Sequence, residues 1–217
     1  YNECLRAIGV EEVWDLVMRV NLKGAPAGRV TWDVCVKPKG ADDGLLIEAP
    51  GAPRVVFTPS ASAPVGALSH VVVSGDGTGP LRVENTSGSP SLCGAVVERD
   101  PAGGAGVVLD QLGFNGARYG TPLAWNEEAW SAELQRRSPD LVILEYGTNE
   151  AGDGNPAYAK VGDQLEQLVA RVRRAKDDVD CVVVSPTDRA DAEEKVPPMH
   201  ASVKAAATRA GCFFFDA

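Results

Sequence analysis

The sequence predicts an α/β protein in two parts: an antiparallel, jelly-roll-like β-sandwich over residues 13–100, then a three-layer parallel sheet with covering helices over residues 101–217. Three observations carry this. Before residue 100, apolar and polar residues alternate with a period of two in short runs broken by Gly, Pro, Ser and Asp, the mark of half-buried strands. After residue 107, short apolar runs alternate with stretches of helical periodicity, as in a parallel sheet wrapped by helices. Between them lies Pro101-Ala102-Gly103-Gly104-Ala105-Gly106, a joint of small residues suited to a domain boundary.

In chain order, residues 1–12 read as a connecting segment. Val13 to Val20 places Trp14, Leu16, Met18 and Val20 against Asp15 and Arg19, and Val30 to Val36 repeats the alternation with Val30, Trp32, Val34 and Val36. Trp14 and Trp32 fall on the apolar faces and read as core. Strands follow at 45–47, 55–57, 70–73, 81–83 and 94–97, with His70 a hydrogen-bonded structural histidine inside one of them. Val107-Val108-Leu109 opens the second part as a short strand. Asn126 can cap a helix whose first turn holds Glu127 and Glu128, ending before Pro139. Leu141 to Tyr146 is a strand, and Val161, Leu165, Leu168 and Val172 mark a helix over 157–176. Cys181 to Val184 is a strand, 198–210 a helix ended by Gly211, and Cys212 to Phe215 the last strand.

The 217 residues carry a net charge of −9 and a pI near 4.8, which argues against a nucleic-acid partner. No apolar run reaches transmembrane length. Five cysteines without CxxC spacing make a zinc site a poor fit. Cys181 and Cys212 read as buried free thiols, a disulfide being a matter of geometry. The acidic run Asp191, Glu193 and Glu194 lacks calcium-loop spacing and reads as a solvated face. No Gly-x-Ser-x-Gly elbow or Walker loop is present, and Gly75-x-Gly77-x-Gly79 runs into Pro80, which breaks the dinucleotide pattern.

Chemistry is signalled where the strand at 141 meets Gly147-Thr148-Asn149-Glu150. A buried strand passing straight into Gly and Asn is what an open α/β sheet shows at its carboxyl edge, where such sheets bind ligands. This stretch resembles the Gly-x-Asn-Asp block of the SGNH hydrolases, or GDSL-type esterases. Gly113-Phe114-Asn115-Gly116-Ala117-Arg118, one helix upstream, resembles their Gly block. The resemblance covers residues 107–217 and is nearest to carbohydrate and peptidoglycan O-acetylesterase-like members, in which a β-sandwich is inserted between the Ser and Gly blocks. It implies a flavodoxin-like SGNH core over 101–217 and a carbohydrate-binding-like sandwich over 13–100.

Position 150 departs from the family in being Glu, one methylene longer than Asp. No Gly-Asp-Ser block and no Asp-x-x-His block occurs, since Gly75-Asp76-Gly77 has no serine and Pro197 stands three before His200. The expectation is therefore an internal fragment without nucleophile or base, inactive alone. In the family the Asn amide and the Gly backbone N–H donate to the oxyanion, which assigns Asn149 and Gly116 to that role. Arg118, Glu150, Ser185 and Asp188 are candidate substrate contacts, with an ion pair the plainer reading of Arg118 and a packed ring that of Tyr119. The implied activity is serine ester hydrolysis of O-acyl, chiefly O-acetyl, groups on carbohydrate, without cofactor or metal, in the periplasm or outside the cell. The competing reading is a carbohydrate-binding or interaction module fused to an inactive α/β domain.

Overall fold

The computed structural model describes residues 18–20, 28–77, 79–99, 107–110, 112–113, 115–153 and 157–217. The expectations for residues 1–17, including Trp14, for the joint at 101–106 and for Phe114 lie outside the described residues. The chain divides into two compact units, Tyr1–Leu109 and Asp110–Ala217.

The first unit contains β1 (Met18–Val20), β2 (Arg29–Lys37), β3 (Gly44–Glu48), β4 (Val55–Phe57), β5 (Ser69–Asp76), β6 (Leu81–Ser87) and β7 (Ser91–Arg99). They form two antiparallel sheets, ordered β1-β6-β3-β4 and β5-β2-β7. The two-fold alternation decides what is buried. Val30, Trp32, Val34 and Val36 from one sheet share a core with Leu45, Ile47, Phe57, Leu81 and Val83 from the other, each large side chain contributing roughly 1.5–3 kcal/mol. Both aromatic residues among the described residues of this unit, Trp32 and Phe57, lie in that core. His70 Nδ1 stands 3.0 Å from Asp33 Oδ1 on the neighbouring strand, the structural pairing expected of it.

Asp43 anchors the turn before β3. It is 2% exposed and accepts backbone N–H bonds from Lys39 (2.5 Å), Gly40 (3.1 Å) and Ser89 (2.7 Å). Burial pushes its carboxyl up, but the three N–H donors and the Lys39 charge outweigh burial and hold it below the ordinary value. A carboxyl depressed in the folded state stabilises fully above its unfolded value of about 3.9, and that stabilisation fades as pH falls through the folded pKa. In urea unfolding, the advantage of wild type over Asp43→Asn should therefore shrink below about pH 4. An equal gap at pH 7 and pH 3 would contradict this.

The second unit runs α1 (Gly120–Leu123), α2 (Glu127–Arg137), β8 (Leu141–Glu145), α3 (Thr148–Ala151), α4 (Tyr158–Ala175), β9 (Asp180–Val184), α5 (Val196–Arg209) and β10 (Phe213–Phe215). Local chemistry sets the limits. Asn126 Oδ1 caps α2 by accepting from Ala129 N at 2.8 Å, and Ser138, at φ 44°, ends it one residue before Pro139. Val161, Leu165, Leu168 and Val169 of α4 share one core with Val196, Met199, Val203 and Ala206 of α5 and with Leu144 and Val183. Arg171, 2% exposed, reaches from α4 to the carbonyls of Pro122 (2.7 Å) and Trp125 (3.2 Å) and lies 4.7 Å over the Trp130 ring. It pins α1 and α2 to α4.

The three strands are parallel, in the order β10-β9-β8. Two expectations change here. Val107, Val108 and Leu109 form no ladder and are exposed: an apolar run becomes a strand only beside a partner. The sheet is covered on one face, while Ile143, Val182 and Phe213 stand in register on the other with Ile143 and Phe213 exposed. Among the described residues the expected three layers are therefore two, and β8 is an edge strand. A third change concerns the cysteines. The register that sets Phe213 opposite Val182 brings Cys212 beside Cys181, with Cα atoms 4.8 Å apart, and they are joined in a disulfide. Cys35 is buried and Cys93 half-buried.

Candidate functional site

The carboxyl end of β8 turns through Gly147 directly into the short helix α3. Gly147 has φ 109°, a conformation that side chains disfavour. A Cβ there would also stand 3.1 Å from Pro186 Cβ, in the loop after β9. Thr148 Oγ1 accepts from Thr187 N at 3.1 Å, so the two carboxyl-end loops are joined.

Asn149, on the first turn of α3, is half-buried and donates from Nδ2 to Ala117 O at 2.9 Å. Ala117 directly follows Gly116, which is exposed and has φ 80°. One amide N–H of Asn149 is thereby fixed against the upstream loop. The other has no protein acceptor among the described residues.

Glu150 is 5% exposed. Its Oε1 accepts from Tyr119 N at 2.8 Å and its Oε2 from Gly147 N at 3.2 Å. Arg118 meets Asp153 in a two-pronged pair, Nη1 to Oδ2 at 2.7 Å and Nη2 to Oδ1 at 2.8 Å. The hydrogen bond from Arg118, ahead of the charges of Arg118, Arg189 and Lys195, holds the Asp153 carboxyl below its ordinary value. Burial, reinforced by the Glu150 charge, pushes the Tyr119 hydroxyl far above its usual range. Its ring packs on Tyr146 with centroids 5.0 Å apart. A cleft of about 320 Å³ opens beside these groups, lined by Arg118, Thr121, Glu150, Asp153, Lys160 and Gln164.

The structure brings together Gly116, Arg118, Asn149 and Glu150 from the two sequence blocks. It treats the weaker candidates unequally. Each oxygen of Glu150 accepts from a backbone amide, so its carboxylate braces the loop at the border of the cleft. Ser185 is 1% exposed and its Oγ accepts from Ala217 N at 3.0 Å, so it too is a brace. Arg118 lines the cleft but is already paired, and Asp188 is exposed on the loop after β9. Sequence reasoning missed Asp153 and the Ala117 carbonyl. Asp153 lies in the glycine-rich stretch after the motif, and no spacing ties it to Arg118. It also missed the pairing of His200 Nε2 with Asp216 Oδ1 at 2.8 Å.

A family model described as "GDSL-like Lipase/Acylhydrolase family" matches residues 73–217. Among curated proteins none matches the sequence. Among solved structures, "Peptidoglycan O-acetylesterase in action, 5 min" matches with a TM-score of 0.63 and 17% identity, over 91% of this chain and 54% of that one. The chain thus spans about half the length of that esterase. A family two carbohydrate esterase from Cellvibrio japonicus matches with a TM-score of 0.36 and 11% identity, over 93% of this chain and 85% of that one. One from Clostridium thermocellum, in complex with cellohexaose, gives 0.33 and 13%, over 93% and 88%. The first of these shows the SGNH hydrolase fold. With the family match spanning more than half of its residues, the chain belongs to the GDSL-like lipase/acylhydrolase family.

Proposed function

We propose that this chain supplies the oxyanion-stabilising side of a serine ester hydrolase that removes O-acyl, chiefly O-acetyl, groups from carbohydrate. The observation that carries the reading is the bond from Asn149 Nδ2 to Ala117 O, 2.9 Å long. It fixes the Asn149 amide against the loop of Gly116 at the carboxyl end of β8, where an open α/β sheet places its ligands. An ester carbonyl entering there meets the second Asn149 N–H and the Gly116 backbone N–H. Both donors gain strength as negative charge grows on the carbonyl oxygen. In this reading the serine nucleophile and the Asp and His of the base come from polypeptide outside these residues. No cofactor or metal enters the reaction.

The carbohydrate half of the proposal is supported by the printed name of the structure that shares the fold, a peptidoglycan O-acetylesterase. The two antiparallel sheets of the first unit act, on this reading, as a β-sandwich that holds a polymeric substrate. Trp32 and Phe57 are in its core, so neither of these two rings offers a stacking face to a sugar. The Cys181–Cys212 disulfide supports work in an oxidising compartment, periplasmic or extracellular.

The test uses the full-length protein with and without residues 13–100. Deletion should raise KM on acetylated polysaccharide by about tenfold and leave turnover of p-nitrophenyl acetate within about threefold. Equal losses on both substrates would make the sheets a brace only. Absence of acetyl release from any carbohydrate, with p-nitrophenyl acetate still hydrolysed, would remove the carbohydrate assignment.

A further inference from the structure

We infer that Glu150 is a positioning residue for the oxyanion site: its buried carboxylate ties the two loops together, and Asn149 acts only where Glu150 places it. The inference rests on the oxyanion reading of Asn149 given above.

Each carboxylate oxygen of Glu150 serves a different segment. Oε1 accepts from Tyr119 N, three residues after Gly116, and Oε2 from Gly147 N, two residues before Asn149. With 5% exposure, the group has little recourse to water. Bonds from N–H groups to a buried carboxylate are among the strong ones. Removing it would strand both donors beside the site.

A turn alone would not require this side chain. The bond to Gly147 N, three residues back, is the local contact of a capping box, whereas the bond to Tyr119 N joins a segment 31 residues away in sequence. The segments are also joined by the Asn149 Nδ2 bond to Ala117 O, 2.9 Å long, which is the contact to be positioned, and by the Arg118–Asp153 pair, with side chains 41% and 47% exposed. Ion pairs that open to water contribute little, so the coupling that holds the Asn149 bond in place falls on Glu150.

Two readouts test this, one of them independent of esterase activity. Hydrogen exchange of the Tyr119 and Gly147 amides should quicken about tenfold or more in Glu150→Gln, which keeps the shape but offers one acceptor for two donors. The amides of α4 should keep their protection. Glu150→Asp retains the charge and serves if Glu150→Gln does not fold; there Gly147 should stay protected and Tyr119 should not. On p-nitrophenyl acetate the full-length Glu150→Gln protein should lose about 10–100-fold in kcat with KM within threefold, the usual scale for a misplaced group. Combined with Asn149→Ala it should cost little beyond Asn149→Ala alone, since both act through one group.

Unchanged exchange at both amides in both variants would overturn the inference. So would quickened exchange with wild-type kcat, or full additivity with Asn149→Ala. If Asn149→Ala itself keeps wild-type kcat, the oxyanion reading fails and Glu150 has no such site to position. The exchange data then still report whether the carboxylate ties the loops.

Discussion

Replacing Asn149 with alanine in the full-length protein is expected to lower kcat on p-nitrophenyl acetate by about 10²–10³, the usual cost of one oxyanion donor. KM should move little, because the donor matters most once the oxygen carries charge. The variant also gives up the bond to Ala117 O, worth about 1 kcal/mol of stability. The kinetic loss must therefore be read beside an unfolding curve. Asn149→Asp sharpens the test: a carboxylate there has no N–H to give and sets negative charge where the transition state needs its opposite. Its kcat should fall at least as far. If Asn149→Ala stays within a few-fold of wild type with the fold intact, the assignment is wrong.

The second large effect is on stability. The Cys181–Cys212 bridge closes a loop with a sequence separation of 31, and closure of that length is worth about 3–4 kcal/mol in the chain-entropy account. Replacing both cysteines with serine should lower the melting temperature by about 15 °C. Dithiothreitol should do the same to wild type and nothing further to the double variant. The bridge staples β10 to β9, so amides of Phe213 to Phe215 should lose hydrogen-exchange protection first. A melting temperature indifferent to reductant, with the thiols shown to be free, would mean that the strands are held by packing alone.

Much of the fold is legible in the sequence because its signals are local. The alternation at Val30, Trp32, Val34 and Val36, the Asn126 cap and the helical spacing from Val161 to Val172 each act within one element. What escaped depends on partners. Val107 to Leu109 has the composition of a strand, yet a strand needs a neighbour to bond, and composition does not supply one. Cys181 and Cys212 each looked like a core thiol opening a strand, and only the register of β9 with β10 sets them side by side. At the site, the place of Asn149 at the carboxyl end of β8 could be read from the abrupt change after Leu144. The inward turn of Glu150 and Ser185 could not, because a polar residue in a loop carries no mark of the side it faces.

Gly147 limits how this site can change. It is constrained twice, by a φ of 109° and by Pro186 only 3.1 Å from where a Cβ would sit. A side chain there meets backbone strain and collision together, and relief of either leaves the other. The loop that presents Asn149 thus has no tolerance at its entry. New substrate preferences, in a lineage or a library, are more readily reached at side chains that line the cleft away from this glycine. There Lys160 is exposed on the first turn of α4, and its replacement would leave the backbone of the site where it is.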